Sequence, residues 1–173
     1  MLLQEIKCVS SYIIGTCFGI GMIKKASGTI ASIAIAIIWY FTDVDFFYNT
    51  LDNIVHYDRF AVMFIILLIL GYLSVSVCRI CEEQFGKDAP EIVIDEIIGY
   101  LFAVLFLPKT LMVALYALVL FRIFDIFKPL YINKFQEVPK GYGVMLDDIA
   151  AGITANIVLI GLYFIKPSFF LMI

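Results

Sequence analysis

Long apolar runs, each close to the length of a membrane-crossing helix, dominate the pattern of this chain. Residues 60–78 are nineteen residues without a charge, and a helix needs about 20 to cross a hydrocarbon core of about 30 Å. Another run covers residues 149–165. A third begins near Thr29 and ends among Phe46, Phe47 and Tyr48, aromatic residues typical of a membrane interface. The pattern predicts several membrane-spanning helices.

Two shorter apolar runs, residues 97–107 and 111–121, flank the sequence Pro108-Lys109-Thr110. Each becomes long enough to cross when neighbouring polar residues are included, which predicts a helical hairpin over residues 91–127 that turns at Pro108. At 1.5 Å per residue, Asp95 and Asp125 would stand about 18 and 21 Å from the turn. The hairpin therefore predicts two carboxylates at similar depth on one membrane side.

Composition narrows the class of protein. Of the 173 residues, 63% are hydrophobic and 16% are charged, and the mean hydropathy is +1.02; this excludes an ordinary soluble domain. We expect an all-α polytopic membrane bundle of about five spanning helices with a Gly-rich N-terminal loop, and residues 1–173 as one membrane-embedded domain surrounded by lipids. The net charge is −3 and no run of Lys or Arg occurs, so no nucleic-acid partner is expected.

Basic residues divide unequally between the two ends of the predicted helices. Nine fall on the side of the N-terminus and three on the other side, and an excess of Lys and Arg marks the cytoplasmic side. We therefore expect a multi-pass protein of the cytoplasmic membrane with its acidic residues at the cytoplasmic face. The three residues on the far side are Arg59, Lys109 and Lys166.

Five acidic residues converge on that face. Carboxylates that enter membrane helices are costly and repel one another unless a cation lies between them. With a single histidine in the chain, oxygen ligands favour a hard ion such as Mg²⁺. The competing interpretation is ordinary helix capping. In it, Asp95 and Glu96 lie in the first turn of one helix, and Asp147 and Asp148 cap the N-terminus of the final helix. The five are Asp95, Glu96, Asp125, Asp147 and Asp148.

A glycine-rich segment, residues 19–29, ends where the apolar run near Thr29 begins. Glycine permits close approach of the backbone to a ligand, and a helix N-terminus offers free N–H groups to an anion. The order of a Walker A loop is absent. Gly28 and Thr29 are therefore candidates for binding a phosphate, together with the cations Arg122 and Lys128.

Four sequence blocks combine glycines with charged residues. They are Gly19-x-Gly21 with residues 26–29 and Ser32; residues 92–96 with Gly99; residues 121–125 with Lys128-Pro129; and residues 141–148 with Ala151-Gly152. Together they resemble the phosphatidylglycerophosphatase A family of Mg²⁺-dependent lipid phosphatases. Two positions depart from the family pattern: Ser27 replaces the proline of its usual Pro-Gly-Thr, and Tyr131 replaces a frequent proline.

The resemblance implies hydrolysis of phosphatidylglycerophosphate to phosphatidylglycerol and inorganic phosphate. It places the family's charged positions on the five acidic residues, as catalytic groups and metal ligands, and on Arg122 and Lys128. Gly99 and Gly152 are expected to allow close helix packing beneath the site. Two alternatives remain open: a small transporter or anion-binding protein that uses the same charges, and a non-catalytic assembly factor.

Overall fold

The computed structural model describes residues 2–42 and 59–170, and these residues form helices joined by turns, without strands. Short 3₁₀ helices occur at Ile20–Met22, Lys134–Glu137 and Pro167–Phe169. The predicted aromatic end of the third apolar run, residues 46–48, lies outside the described residues. The α-helices are α1 (Leu2–Gly15), α2 (Ser27–Phe41), α3 (Arg59–Phe85), α4 (Ile94–Ala103), α5 (Leu111–Phe127), α6 (Leu130–Asn133) and α7 (Tyr142–Ile165).

Two of the described helices are long and apolar enough to cross a membrane, Ala61–Phe85 within α3 and Tyr142–Ile165, which is α7. The first confirms the run predicted at residues 60–78. The second begins seven residues before the predicted position 149, because Gly141 ends the preceding turn with φ +78° and lets the helix start at Tyr142. Helix α2 is apolar but shorter, at 15 residues.

The predicted hairpin over residues 91–127 is right in its second helix and wrong in its first. Helix α5 begins at Leu111, where the Thr110 hydroxyl accepts a hydrogen bond from the Val113 N–H at 3.2 Å. Helix α4, by contrast, covers only Ile94–Ala103, ten residues and about 15 Å. A continuous helix over residues 91–107 does not form.

Long-range hydrogen bonds explain the short α4. Before it, the Val93 N–H donates to the Gly15 carbonyl at 2.9 Å. After it, the Asn156 side chain donates to the carbonyls of Ala103 and Leu105 at 3.0 and 2.6 Å. These carbonyls are satisfied by α7 instead of by a further turn of α4, so the helix ends there.

Helix α4 lies at the centre of the bundle and crosses α7 at glycines. A Cβ on Gly152 would overlap the Gly99 carbonyl, and a Cβ on Gly99 would lie 2.7 Å from the Asp148 carbonyl. The predicted close packing at these two glycines is confirmed. Tyr100 and Phe121 are fully buried beside the crossing.

One end of the bundle collects the polar residues. The N-terminal turns of α2, α4 and α7 meet there with the C-terminal turns of α5, and the last turns of α3 pack against Gly141. Helix α1 covers the same half of α3, where the Cys81 thiol contacts the Ser11 carbonyl. We call the end of the bundle where the turns of α2, α4, α5 and α7 meet the polar end.

Candidate active site

Three carboxylates form the centre of the polar end. Asp95 and Glu96 lie in the first turn of α4, and Asp148 lies in the second turn of α7. Each offers an oxygen, and the three oxygens are within 4.8 Å of one another. At this distance each like-charged pair costs about 3 kcal/mol at an effective dielectric of 20. The arrangement is therefore favourable only with a proton or a cation among the oxygens.

Burial makes an uncompensated charge costly at both acidic residues of α4. Asp95 is 5% exposed, and the side chain of Glu96 is 16% exposed. A nearby positive charge is therefore needed to keep both carboxylates ionised.

Arg122 joins the two arms of the hairpin. Its Nη1 lies 2.7 Å from Asp125 Oδ2, one helical turn away on α5, and 3.9 Å from Glu96 Oε1 on α4. Arg122 thus brings Asp125 to the level of Glu96, the residue next to Asp95, although α4 is shorter than predicted.

Lys128 forms the second ion pair. It caps α5 in the left-handed conformation, with φ +39°, and its Nζ donates to Asp147 Oδ2 at 2.5 Å. Burial lowers the pKa of Lys128, but the hydrogen bond and charge of Asp147 outweigh it, so the pKa is raised. Lys128 therefore stays charged beside a carboxylate that is 1% exposed.

Helix capping accounts for few of these acids. Asp147 and Asp148 lie in the second turn of α7, because Gly141 is the residue before that helix. Asp125 lies in the last turn of α5, where the helix dipole disfavours negative charge. Asp95 and Glu96 do lie in a first turn. The capping interpretation therefore fits two of the five.

The N-terminus of α2 closes one side of the carboxylate group. A Cβ on Gly28 would overlap Glu96 Oε1 and lie 3.2 Å from Arg122 Nη1, so a larger residue there would displace the Glu96 carboxylate. Thr29 follows, half-buried. The structure thus brings Gly28 to the predicted charged residues and places the first-turn N–H groups of α2 beside them.

Several buried polar atoms at this end lack a hydrogen-bond partner. Among the described residues they include Glu96 Oε2, Asp148 Oδ2 and Arg122 Nε. Buried atoms without partners are rare in proteins. Two carboxylate acceptors and one guanidinium donor at this end are what a cation and an oxyanion together would satisfy.

Two supporting contacts were missed from the sequence. Glu82 accepts a hydrogen bond from the Gly141 N–H at 2.7 Å and so fixes the start of α7. The Ser27 hydroxyl donates to the Pro90 carbonyl at 2.6 Å, which ties α2 to the turn before α4. These pairs are 59 and 63 residues apart along the chain, and no local pattern marks them.

Three known proteins are similar to this chain over most of its length. A protein of Bacteroides thetaiotaomicron, provisionally named a phosphatidylinositol-3-phosphatase, is 31% identical over 150 residues, 85% of this chain and 89% of that protein. A phosphatidylglycerophosphatase A of Haemophilus influenzae is 30% identical, with 85% of each chain covered. One of Escherichia coli is 32% identical over 86% of this chain and 78% of its own length.

No solved structure matches the chain. The profile of the family described as phosphatidylglycerophosphatase A matches residues 13–163, which include all five acidic residues of the polar end, Arg122 and Lys128. The sequence blocks that predicted the resemblance are thus the ones that the structure brings together at one end of the bundle. The chain belongs to the phosphatidylglycerophosphatase A family.

Proposed function

We propose that this protein hydrolyses the phosphomonoester of phosphatidylglycerophosphate, releasing phosphatidylglycerol and inorganic phosphate. The observation that supports this most is the three-carboxylate group, with oxygens within 4.8 Å, beside an arginine whose Nε has no partner. A site with acceptors for a metal ion and donors for a phosphate suits phosphoryl transfer.

The substrate proposal follows the names of two relatives, the phosphatidylglycerophosphatases A of H. influenzae and E. coli. The B. thetaiotaomicron relative carries the name of a phosphatase for another lipid phosphomonoester. Both names describe a phosphate ester on a lipid headgroup. The two named substrates therefore belong to one class, lipid phosphomonoesters, and they differ in the headgroup.

Asp95, Glu96 and Asp148 would hold a divalent cation, and the unpartnered oxygens of Glu96 and Asp148 fit this role. All three offer oxygen, which favours Mg²⁺ over softer metals. When bound, such an ion supplies positive charge that polarises a phosphoryl oxygen and lowers the pKa of water.

Arg122 and Lys128 would bind the phosphate oxygens through charge-assisted hydrogen bonds. They are paired with Asp125 and Asp147, which hold them in place. The first-turn N–H groups of Gly28 and Thr29 would complete the phosphate site at the N-terminus of α2. Asp125 and Asp147 thus act first as positioning residues for the two cations.

In the reaction, water attacks phosphorus and the bond from phosphorus to the glycerol oxygen breaks. A carboxylate of the group accepts the proton of the water, and the alcohol oxygen gains a proton as it leaves. The products are the alcohol and inorganic phosphate, so no oxidant or second substrate is needed.

We also propose that the whole chain is one membrane-embedded domain with about five spanning segments, made by α2 to α5 and α7, and with the polar end facing the cytoplasm. The two long apolar helices support membrane insertion. The basic residues Lys24, Lys128 and Lys140 adjoin helix ends at the polar end, which supports the orientation. Helix α4 would cross only with the aid of the turns around it.

Phosphate release by the purified protein tests the proposal. Phosphatidylglycerophosphate and phosphatidylinositol-3-phosphate are offered separately in detergent micelles, with Mg²⁺, with EDTA, and with Mg²⁺ restored. We expect release from phosphatidylglycerophosphate that EDTA abolishes and Mg²⁺ restores. Release of phosphate from the inositol lipid alone would contradict the proposed substrate. Full turnover in EDTA would contradict the proposed metal dependence, and no release from either lipid would contradict the proposed phosphatase activity.

A further inference from the structure

An apolar groove of about 270 Å³ runs between α2 and α5. Its floor contains the small side chains of Ala36 and Ala114, which are buried against the core. The groove exposes no polar lining surface. We call it the α2–α5 groove; its walls include Ile33, Ile37, Phe41, Leu111, Leu115 and Leu118.

The walls are in helical register with the candidate active site. On α2, Thr29 stands four residues before Ile33, and Ile37 and Phe41 follow at the same spacing. Residues four apart in a helix share one face. The face that begins at the phosphate-binding turn of α2 therefore continues as one wall of the groove.

The second wall is related to the site in the same way. Leu111, Leu115, Leu118 and Arg122 follow one another at spacings of four, three and four residues on α5, so they share a face. Arg122 is the residue that contacts both Asp125 and Glu96. Both walls thus lead from apolar side chains to a group proposed to bind phosphate.

The length of this surface agrees with that of a lipid chain. Thr29 and Phe41 are twelve residues apart, about 18 Å along a helix, and one leaflet contributes half of a hydrocarbon core of about 30 Å. Ile37 and Phe41 are 53% and 77% exposed. The surface is open, apolar and of leaflet depth, with cationic groups at one end only.

We propose that the α2–α5 groove binds one acyl chain of the lipid substrate, with its phosphate at the polar end. The inference rests on the proposed function and adds a binding site to it. A long acyl chain in this groove would align the ester phosphate with Arg122 and resist loss of the substrate into the bilayer. The groove then contributes to substrate binding and not to the chemical step.

Substrates with long and short acyl chains, offered to a variant with an altered groove floor, test the proposal. In A114L the larger side chain would fill the groove, and one to three methylenes in an apolar pocket change kcat/KM about tenfold or more. We expect this loss for the dioleoyl substrate, mainly in KM, with little change for the dihexanoyl substrate, whose chains do not reach the groove. A61L, on an exposed site of α3, is the matched control and should change neither.

If A114L lowers kcat/KM equally for both chain lengths, or if A61L lowers it as much as A114L does, the groove does not bind an acyl chain. The phosphatase proposal would still stand. Absence of dihexanoyl hydrolysis in the parent protein would instead overturn the proposed function. The two failures are therefore distinguishable.

Photocrosslinking gives a second measurement that needs no substitution. The probe is a phosphonate analogue of phosphatidylglycerophosphate with a diazirine near the end of one acyl chain. We expect labelled peptides from residues 33–41 and 111–118, reduced by excess unlabelled analogue but not by phosphatidylcholine. Labelling spread evenly over the apolar helices, or unaffected by the analogue, would overturn the proposal.

Discussion

Asp148 illustrates how one buried carboxylate depends on its neighbours. It is 4% exposed, lies with Asp95 and Glu96, and carries an oxygen without a partner. An uncompensated charge in such a place costs several kcal/mol. The three carboxylates thus repel one another in the folded protein, and a bound cation converts that repulsion into binding free energy.

The Asn variant of Asp148 separates metal binding from structure. In D148N a formal charge is lost from the metal site, so we expect the rate to fall about a hundredfold or more and the Mg²⁺ concentration for half activity to rise. Stability without metal should hold or increase, because one repulsive charge is gone. E83Q, at an exposed residue of α3, is the control. Near-parental activity of intact D148N would contradict the ligand assignment.

The pair of Lys128 and Asp147 allows a double-variant test of phosphate binding. K128M leaves the buried Asp147 without this partner and should lower both stability, by about 3–5 kcal/mol, and activity. In the double variant K128M/D147N the stability should recover in large part, because the buried charge that lost its lysine is gone, while phosphate release and substrate affinity stay low.

Lys134, exposed and outside the motif, provides the comparison, and K134M should resemble the parent protein. Thermal unfolding in detergent and initial rates measure the two effects separately. Recovery of activity together with stability in the double variant would show that Lys128 acts only as a structural partner.

At the scale of elements, the crossing of α4 and α7 sets the position of the carboxylates. The two helices approach so closely that Gly99 and Gly152 leave no room for a Cβ, and Asp148 lies one turn before Gly152. A shift of either helix would therefore move Asp148 relative to Asp95 and Glu96. The crossing supports the site without touching substrate.

A matched pair of glycine substitutions on α7 tests this. G152A should separate α4 from α7 and reduce both stability and activity, with a stability loss of about 1–3 kcal/mol as for other overpacked sites. G161A meets no atom within 4 Å and should be neutral or slightly stabilising, because alanine favours helix. Equal thermal stability of the two variants would contradict the role of the crossing.

The sequence predicted some elements better than others, for physical reasons. Helix α5 has its own start signal in Thr110 and one unbroken apolar run, so its bounds follow from local pattern. The ends of α4 depend on Gly15 and Asn156, which are remote in sequence. The start of α7 likewise depends on Glu82, and a local pattern contains no such information.

In the candidate site too, local sequence pattern predicted some features, whereas others depend on contacts between remote residues. Charged residues in apolar helices were conspicuous because their burial is costly, and hairpin geometry predicted that Asp95 and Asp125 approach one end. The sequence predicted that five acids converge, but it did not show which of them form one group, Asp95 and Glu96 with Asp148, or that Asp147 pairs with Lys128. Those contacts depend on the rotation of α4 against α7, which is fixed by packing at Gly99 and Gly152.

For the whole molecule, the helix directions and the basic residues agree on one orientation. Residues 24 and 140 adjoin the starts of α2 and α7 at the polar end, whereas Lys109 lies in the turn before α5 at the opposite end. Lys and Arg are retained on the cytoplasmic side of short loops. Lys24 and Lys140 should therefore share one membrane face, and Lys109 should lie on the other.

Single cysteines introduced in K24C, K109C and K140C test this orientation in a background without the four native cysteines, of which Cys78 and Cys81 are buried. An impermeant maleimide added to intact cells should label K109C, because the proposed orientation places its turn outside, and should reach K24C and K140C only after the membrane is opened. The reagent needs an exposed thiolate in water, so the pattern reports the membrane side and not helix packing. Labelling of K109C and K140C from the same side would contradict both the hairpin and a site at the cytoplasmic face.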